Sequence, residues 1–170
     1  MSINSRSKGS RNERGIAKLM QNWTGYEFAR TPQSGGLHWK KAHTSGDIVC
    51  IDNIHGLRFA FSIECKFHNE VDFSHLIDGT SSKNTNKVLE FWKQCKRDAN
   101  TSNKLPLLFI RKNGMKGDMH FVGMQTDFLL ILLSKGMVFN YGIIHCNVDG
   151  NQFSFINSGD LFKQDYKLFH

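Results

Sequence analysis

Apolar positions recur along this chain at two spacings. Ile16, Leu19, Met20 and Trp23 repeat at helical intervals, which predicts an amphipathic helix over about residues 11–23, with Arg11, Arg14 and Lys18 on its other side. Ser10-Arg11-Asn12-Glu13 matches a capping box at its start, and Gly25 ends it. Val88, Phe91 or Trp92, Cys95 and Ala99 mark a second such helix over residues 86–99, whose polar face carries Lys87, Lys93, Lys96 and Arg97. Gln94 also lies off the apolar stripe; solvent is its ordinary fate, approach to a site the alternative.

The other runs alternate or are continuously apolar, as strands do. Residues 26–30 alternate, and Thr31 to Gly36 form a loop because Pro32 blocks a ladder. Gly46 to Cys50 and Arg58 to Lys66, joined by a polar turn, predict a hairpin. Leu105 to Ile110 reads as an interior strand, Met119 to Gly123 as its return, and Val138 to Ile144 as another strand. Thr126 is placed to cap a short helix through Ser134, and Asp149-Gly150 to turn a tight hairpin into Gln152 to Ile156. Leu161 to His170 is apolar enough to dock on the domain or on a second subunit. The fold class implied is α/β.

At 170 residues one domain is the economical reading: a basic flexible arm over residues 1–9 and a single domain over 10–170. The formal charge of +7 is uneven, because residues 1–43 hold eight Lys or Arg against Glu13 and Glu27. Such a patch attracts a polyanion, nucleic acid before a merely solubilising role. Cys50, Cys65, Cys95 and Cys146 form no C-x-x-C pair, so buried thiols are the default. The start lacks a signal-peptide core, and Phe128 to Leu133 is too short to cross a bilayer, whether it is core or a dimer surface. The expectation is an intracellular protein, cytoplasmic or nucleoid-associated, with no membrane partner.

Candidate chemistry gathers on the hairpin. Glu64 and Lys66 share one face of their strand while Ile63 and Cys65 take the other, and Asp47 lies on the neighbouring strand. Two carboxylates and the Cys65 carbonyl are hard oxygen donors of the kind Mg²⁺ takes, with Lys66 beside them to orient water or stabilise phosphate charge. A sheet-edge ion pair is the plain alternative. Leu37 to His43, with Trp39, Lys40 and Lys41, suits phosphate contact or a solvated excursion equally. His38, His43 and His75 have no ligand spacing.

These segments resemble the PD-(D/E)xK nuclease superfamily, in particular archaeal-type Holliday junction resolvases. Lys8-Gly9-Ser10-Arg11-Asn12-Glu13-Arg14 is similar to their Lys-Gly-Ser-x-x-Glu-Arg segment, and Arg30-Thr31-Pro32-Gln33-Ser34 to their Arg-Ser-x-x-Ser loop. Gly46-Asp47-Ile48-Val49 stands where they carry Pro-Asp, and Glu64-Cys65-Lys66 matches Glu-x-Lys. The resemblance implies a restriction-endonuclease-like mixed sheet flanked by helices, and a homodimer that nicks four-way DNA junctions symmetrically, leaving 5′-phosphates. It implies Mg²⁺, with Mn²⁺ as substitute, held by Asp47, Glu64, Cys65 and Glu13. Glu13, Ser34, Asp47, Glu64 and Lys66 become the catalytic set, and Arg6, Lys8, Arg11, Arg14, Arg30, Lys40 and Lys41 the DNA contacts. Alternatives are a restriction-like or repair nuclease on linear or damaged duplex, and a non-catalytic dimeric DNA binder. The chain departs at Gly46, in the length of the segment from Ser34 to Asp47, and beyond Ile110.

Overall fold

The alternation read in Phe61–Phe67 builds the centre of the fold. The computed structural model describes residues 5–31, 45–69, 71–73, 76 and 87–169, the side chains of residues 5, 6 and 57 excepted. Ser34, Lys40, Lys41, His38, His43 and His75 lie outside the described residues, as does the Arg6 side chain. In chain order the elements are α1 (Ser5–Thr24), β1 (Phe28–Arg30), β2 (Ile48–Cys50), β3 (Phe61–Phe67), α2 (Lys87–Thr101), β4 (Leu105–Arg111), β5 (Phe121–Gln125), α3 (Thr126–Ser134), β6 (Ile144–Val148), β7 (Asn151–Asn157) and α4 (Ser158–Leu161). Short 3₁₀ turns lie at Gly56–Arg58 and Tyr166–Phe169.

The strands form one seven-stranded sheet in the order β1-β2-β3-β4-β5-β7-β6. Every neighbouring pair is antiparallel except β3 and β4, which run parallel with Glu64 opposite Leu108. A parallel pair needs a crossover, and the segment containing α2 supplies it. Alternation then splits the core in two. Ile63, Cys65, Leu107 and Phe109 pack with Ile16 and Met20 of α1 and Leu129 and Leu132 of α3. Leu108 and Ile110 pack with Val88, Trp92 and Cys95 of α2. This is the mixed α/β sheet flanked by helices that restriction-endonuclease-like architecture requires.

Helix α1 already includes Ser5, the first described residue, and does not begin at residue 11, so residues 5–9, read as part of an arm, are helical. Ser10 and Glu13 therefore lie inside the helix, and their reading as a capping box is corrected. The tertiary partners of Asn12 and Glu13, described below, outweigh the local cap signal. Thr126 is likewise the first helical residue of α3 and not its cap; Gln125 takes that position, and the Thr126 hydroxyl bonds Ser154 Oγ at 2.9 Å. Val138 to Ile143 is irregular, against the strand expected there. Its N–H groups go to side chains: Val138 N donates to Gln164, and Asn140 N and Tyr141 N donate to buried Asp160. The Asp149-Gly150 turn holds: both residues have positive φ, 51° and 70°, joining β6 to β7 as a two-residue hairpin turn demands. The carboxy-terminal segment docks on the domain, where Trp23 meets Phe162, Tyr166 and Phe169 edge-on.

Candidate active site

Strand β2 parts from β3 where the acidic residues sit. Ile48 pairs with Ile63, and one residue earlier Asp47 N donates to Ile63 O at 2.7 Å. Cys65 lies beyond that pairing, and its N–H is taken by the side chain of Asp47, with Oδ2 accepting at 2.8 Å. A strand residue directs its N–H and C=O to the same edge, so the Cys65 carbonyl also leaves β3 on the Asp47 side. Glu64 and Lys66 project together from the α2 face of β3. Lys66 Nζ donates to Glu64 Oε1 at 2.6 Å and lies 5.6 Å from the centre of the Phe91 ring.

Both carboxylates are in an unfavourable field. Desolvation raises the Asp47 pKa above the ordinary carboxylate range, against the Cys65 N–H and the Lys66 charge, which lower it. Desolvation raises Glu64 too, and the negative charge of Asp47 adds to it. Asp47 Oδ1 and Glu64 Oε2 have no hydrogen-bond partner among the described residues. Burial pushes the Cys65 thiol up, so this residue offers an oxygen and not a thiolate.

Residues 4–158 match the family described as "Phage putative PDDEXK endonuclease". The chain belongs to that family. It is also similar to "Protein D14" of Escherichia phage T5, at 25% identity over 113 residues, covering 66% of this chain and 68% of the phage protein. No solved structure matches.

Asp47, Glu64 and the Cys65 carbonyl offer hard oxygen donors of the kind a divalent cation takes. Two carboxylate oxygens without partners among the described residues and one backbone carbonyl belong to β3 and to the residue that leads into β2, and a cation bound by them would relieve the desolvation that raises both acids. Water and substrate oxygens would have to complete the shell, because among the described residues no three His, Cys, Asp or Glu side chains group closely enough to hold a metal. Glu13 acts on Asp47 from α1, where Arg30 Nε donates to its Oε2 and its Oε1 has no partner among the described residues. Arg30, assigned above to DNA, is thus paired. Lys8 is half-buried on α1, and Arg11 and Arg14 are exposed there.

Two polar contacts, one beside Glu64 and one on the α1 face of the sheet, go beyond the ordinary reading of the sequence. Gln94 of α2, given to solvent, donates Nε2 to Glu64 Oε1 at 2.8 Å, so the less ordinary reading is the correct one. Its place off the apolar stripe was the available signal. His120 is buried between Asn12 and the Asp118 carbonyl, and nothing local to it announces a partner so distant in the chain.

Proposed function

We propose that this chain is a divalent-metal-dependent DNA endonuclease that acts as a homodimer on four-way junctions. The single observation that carries the chemistry is the Asp47 carboxylate bound to the Cys65 N–H beside Glu64 and Lys66. The junction substrate rests on the likeness of the Lys8-to-Arg14 and Arg30-to-Ser34 segments to the resolvases. Bound Mg²⁺, or Mn²⁺, would supply Lewis-acid stabilisation of phosphate charge and an acidified water.

The protein's own residues have separable tasks. Asp47, Glu64 and the Cys65 carbonyl would hold the cation. Lys66 balances Glu64 in its absence and offers an ammonium to the developing phosphate charge. Gln94 orients the Glu64 carboxylate, and Glu13 with Arg30 fixes α1 against the sheet. Ser34, Arg6, Lys8, Arg11, Arg14, Lys40 and Lys41 would contact the DNA. In-line attack of water on phosphorus expels the 3′-oxygen and leaves a 5′-phosphate. Leu130, Ile131, Val138 and Tyr141, each more than half exposed at 52, 51, 66 and 54%, provide the apolar face for a second copy.

Labelled four-way, flap, nicked and linear DNA, incubated with Mg²⁺ or a chelator, test the proposal. Symmetric metal-dependent nicks confined to the junction are expected. Cuts in linear duplex would move the substrate to the restriction-like class. Binding without metal-stimulated product would leave a non-catalytic DNA binder.

A further inference from the structure

On the α1 face of the sheet, away from Glu64 and Lys66, a cavity of about 290 Å³ opens between α1 and the ends of β3 and β4. Its volume is near the lower bound of small-molecule sites, roughly 300 Å³, and suits one nucleotide. Lys8 and Arg11 enter from α1, Arg111 from the end of β4, and Phe67 from the end of β3. Three cations face one carboxylate there, that of Asp118. Arg111 Nη2 is anchored on Met115 O at 3.2 Å, which holds the guanidinium in place while its other N–H groups have no partner among the described residues. Neither Lys8 nor Arg11 has an ion-pair partner among those residues.

The cavity wall also holds a buried amide with unused capacity. Asn12 is only 9% exposed, and its side chain meets His120 Nε2 at 2.8 Å. His120 Nδ1 lies 2.7 Å from the Asp118 carbonyl, which can only accept, so Nδ1 carries the ring proton. Burial lowers the His120 pKa to about 4, which leaves Nε2 as a lone pair at neutral pH. The amide then donates its N–H to Nε2, an orientation set by the hydrogen bonds of the ring. The Asn12 carbonyl oxygen and its second N–H are left for the cavity, with no other partner among the described residues.

A ring wall, a donor-acceptor amide and three cations are what a nucleobase and its phosphate require together. The geometry points to a nucleotide subsite, in which Asn12 reads the base edge beside Phe67 while Lys8, Arg11 and Arg111 take the phosphate. The occupant is a nucleotide freed from pairing in bound DNA, or a free mononucleotide of the same chemistry. The first source rests on the DNA-cleavage reading above; the second does not.

Gly15 gives a clean way to test this, because a Cβ added to it meets nothing within 4 Å while the residue lines the cavity. Gly15→Leu should fill the space without disturbing a polar contact, and helix propensity favours it. In chelator, the full chain is titrated with fluorescent duplex carrying one unpaired nucleotide, with the same duplex fully paired, and with deoxynucleoside 5′-monophosphates. Wild type should prefer the unpaired site about tenfold. Gly15→Leu should abolish that preference and leave paired-duplex affinity within about twofold. Arg111→Gln should weaken binding to the unpaired site and lower its salt slope by about one. Circular dichroism establishes that both variants fold. Binding of the monophosphate alone, lost in Gly15→Leu, would support the subsite with a free nucleotide as occupant even if DNA does not bind. Normal DNA binding and cleavage with no preference sensitive to Gly15→Leu would overturn the subsite and leave the nuclease reading standing. No binding of either probe would overturn it as well.

Discussion

The Gln94 amide donates to the Glu64 carboxylate across 2.8 Å, tying the crossover helix α2 to the strand that bears Lys66. The same oxygen, Oε1, accepts from Lys66, so both donors hold one edge of the carboxylate and Oε2 has no partner among the described residues. Removing such an orienting bond in a metal site costs about 10–100-fold in activity or metal affinity. Gln94→Ala should therefore lower cleavage by that factor, seen mainly as a raised Mg²⁺ requirement, with a stability loss of about 1 kcal/mol or less. A metal titration of the nicking rate checks it; an unchanged Mg²⁺ midpoint would show that Gln94 only packs.

What could be read in the sequence divides by the range of the interaction that decides it. Period-two alternation put Glu64 and Lys66 on one face of β3, and the Asp149-Gly150 pair announced its hairpin, because both are set by neighbours in the chain. The parallel pairing of β3 with β4 was not legible, since it depends on a helix laid across the sheet. Val138 to Ile143 has the composition of a strand but yields its N–H groups to Gln164 and Asp160. The apparent cap at Ser10 to Glu13 is interior to α1, where Asn12 and Glu13 find partners in His120 and Arg30, far away in the chain. Asp47 and Glu64 stood out in the sequence as a pair of acids on neighbouring segments; that a backbone N–H of Cys65 holds Asp47 did not.

Asp47 should act as a ligand and not as a structural acid. Its raised pKa means that burial opposes its charge in the metal-free chain. Asp47→Asn keeps an acceptor for the Cys65 N–H and removes the buried charge, so the metal-free variant should melt no lower than wild type. Wild type should gain roughly 5–10 °C in Tm when Mg²⁺ is about hundredfold above Kd, and Asp47→Asn should gain none while losing cleavage. Thermal melts with Mg²⁺ and with chelator measure both. A full metal shift in the variant would remove Asp47 from the ligand set.

The pH dependence follows from the same two acids. Asp47 and Glu64 are raised by desolvation, so in the metal-free chain their favourable contribution to stability is present below the unfolded pKa values. It is lost as pH rises through the folded ones. Cleavage runs the other way, because ligation needs both groups ionised. The acid limb of the rate should therefore lie above the ordinary carboxylate range of about 4 and move to lower pH as Mg²⁺ increases. Rate profiles at two Mg²⁺ concentrations check this; an acid limb indifferent to metal would assign it to another group.

The exposed face of α3 should carry the self-association. Leu129 and Leu132 are buried in the core, while Leu130 and Ile131 on the same helix are about half exposed. Ile131→Glu changes no core contact, so the fold should survive with a stability change of about 0.5 kcal/mol or less. Sedimentation should show a dimer for wild type and a monomer for the variant. Paired nicking of a junction should become two unlinked events, since related phosphates would no longer meet related sites at once.

Gly46 has a structural task that proline cannot perform. Its φ is +93°, and a Cβ at this position would run into the backbone of Ile63. Proline fixes φ near −65°, so the Pro-Asp form seen in the resolvases would force the chain out of the turn that lets Asp47 N reach Ile63 O. The same turn delivers the Asp47 carboxylate to the Cys65 N–H. Gly46→Ala and Gly46→Pro should each cost about 2–4 kcal/mol, from the positive φ and the backbone collision together. Cleavage should fall further than stability, because Asp47 moves with the backbone that carries it. Denaturant melts alongside Mg²⁺ titrations separate the two effects. A Gly46→Pro protein of wild-type stability and activity would mean that β2 can leave β3 by another path.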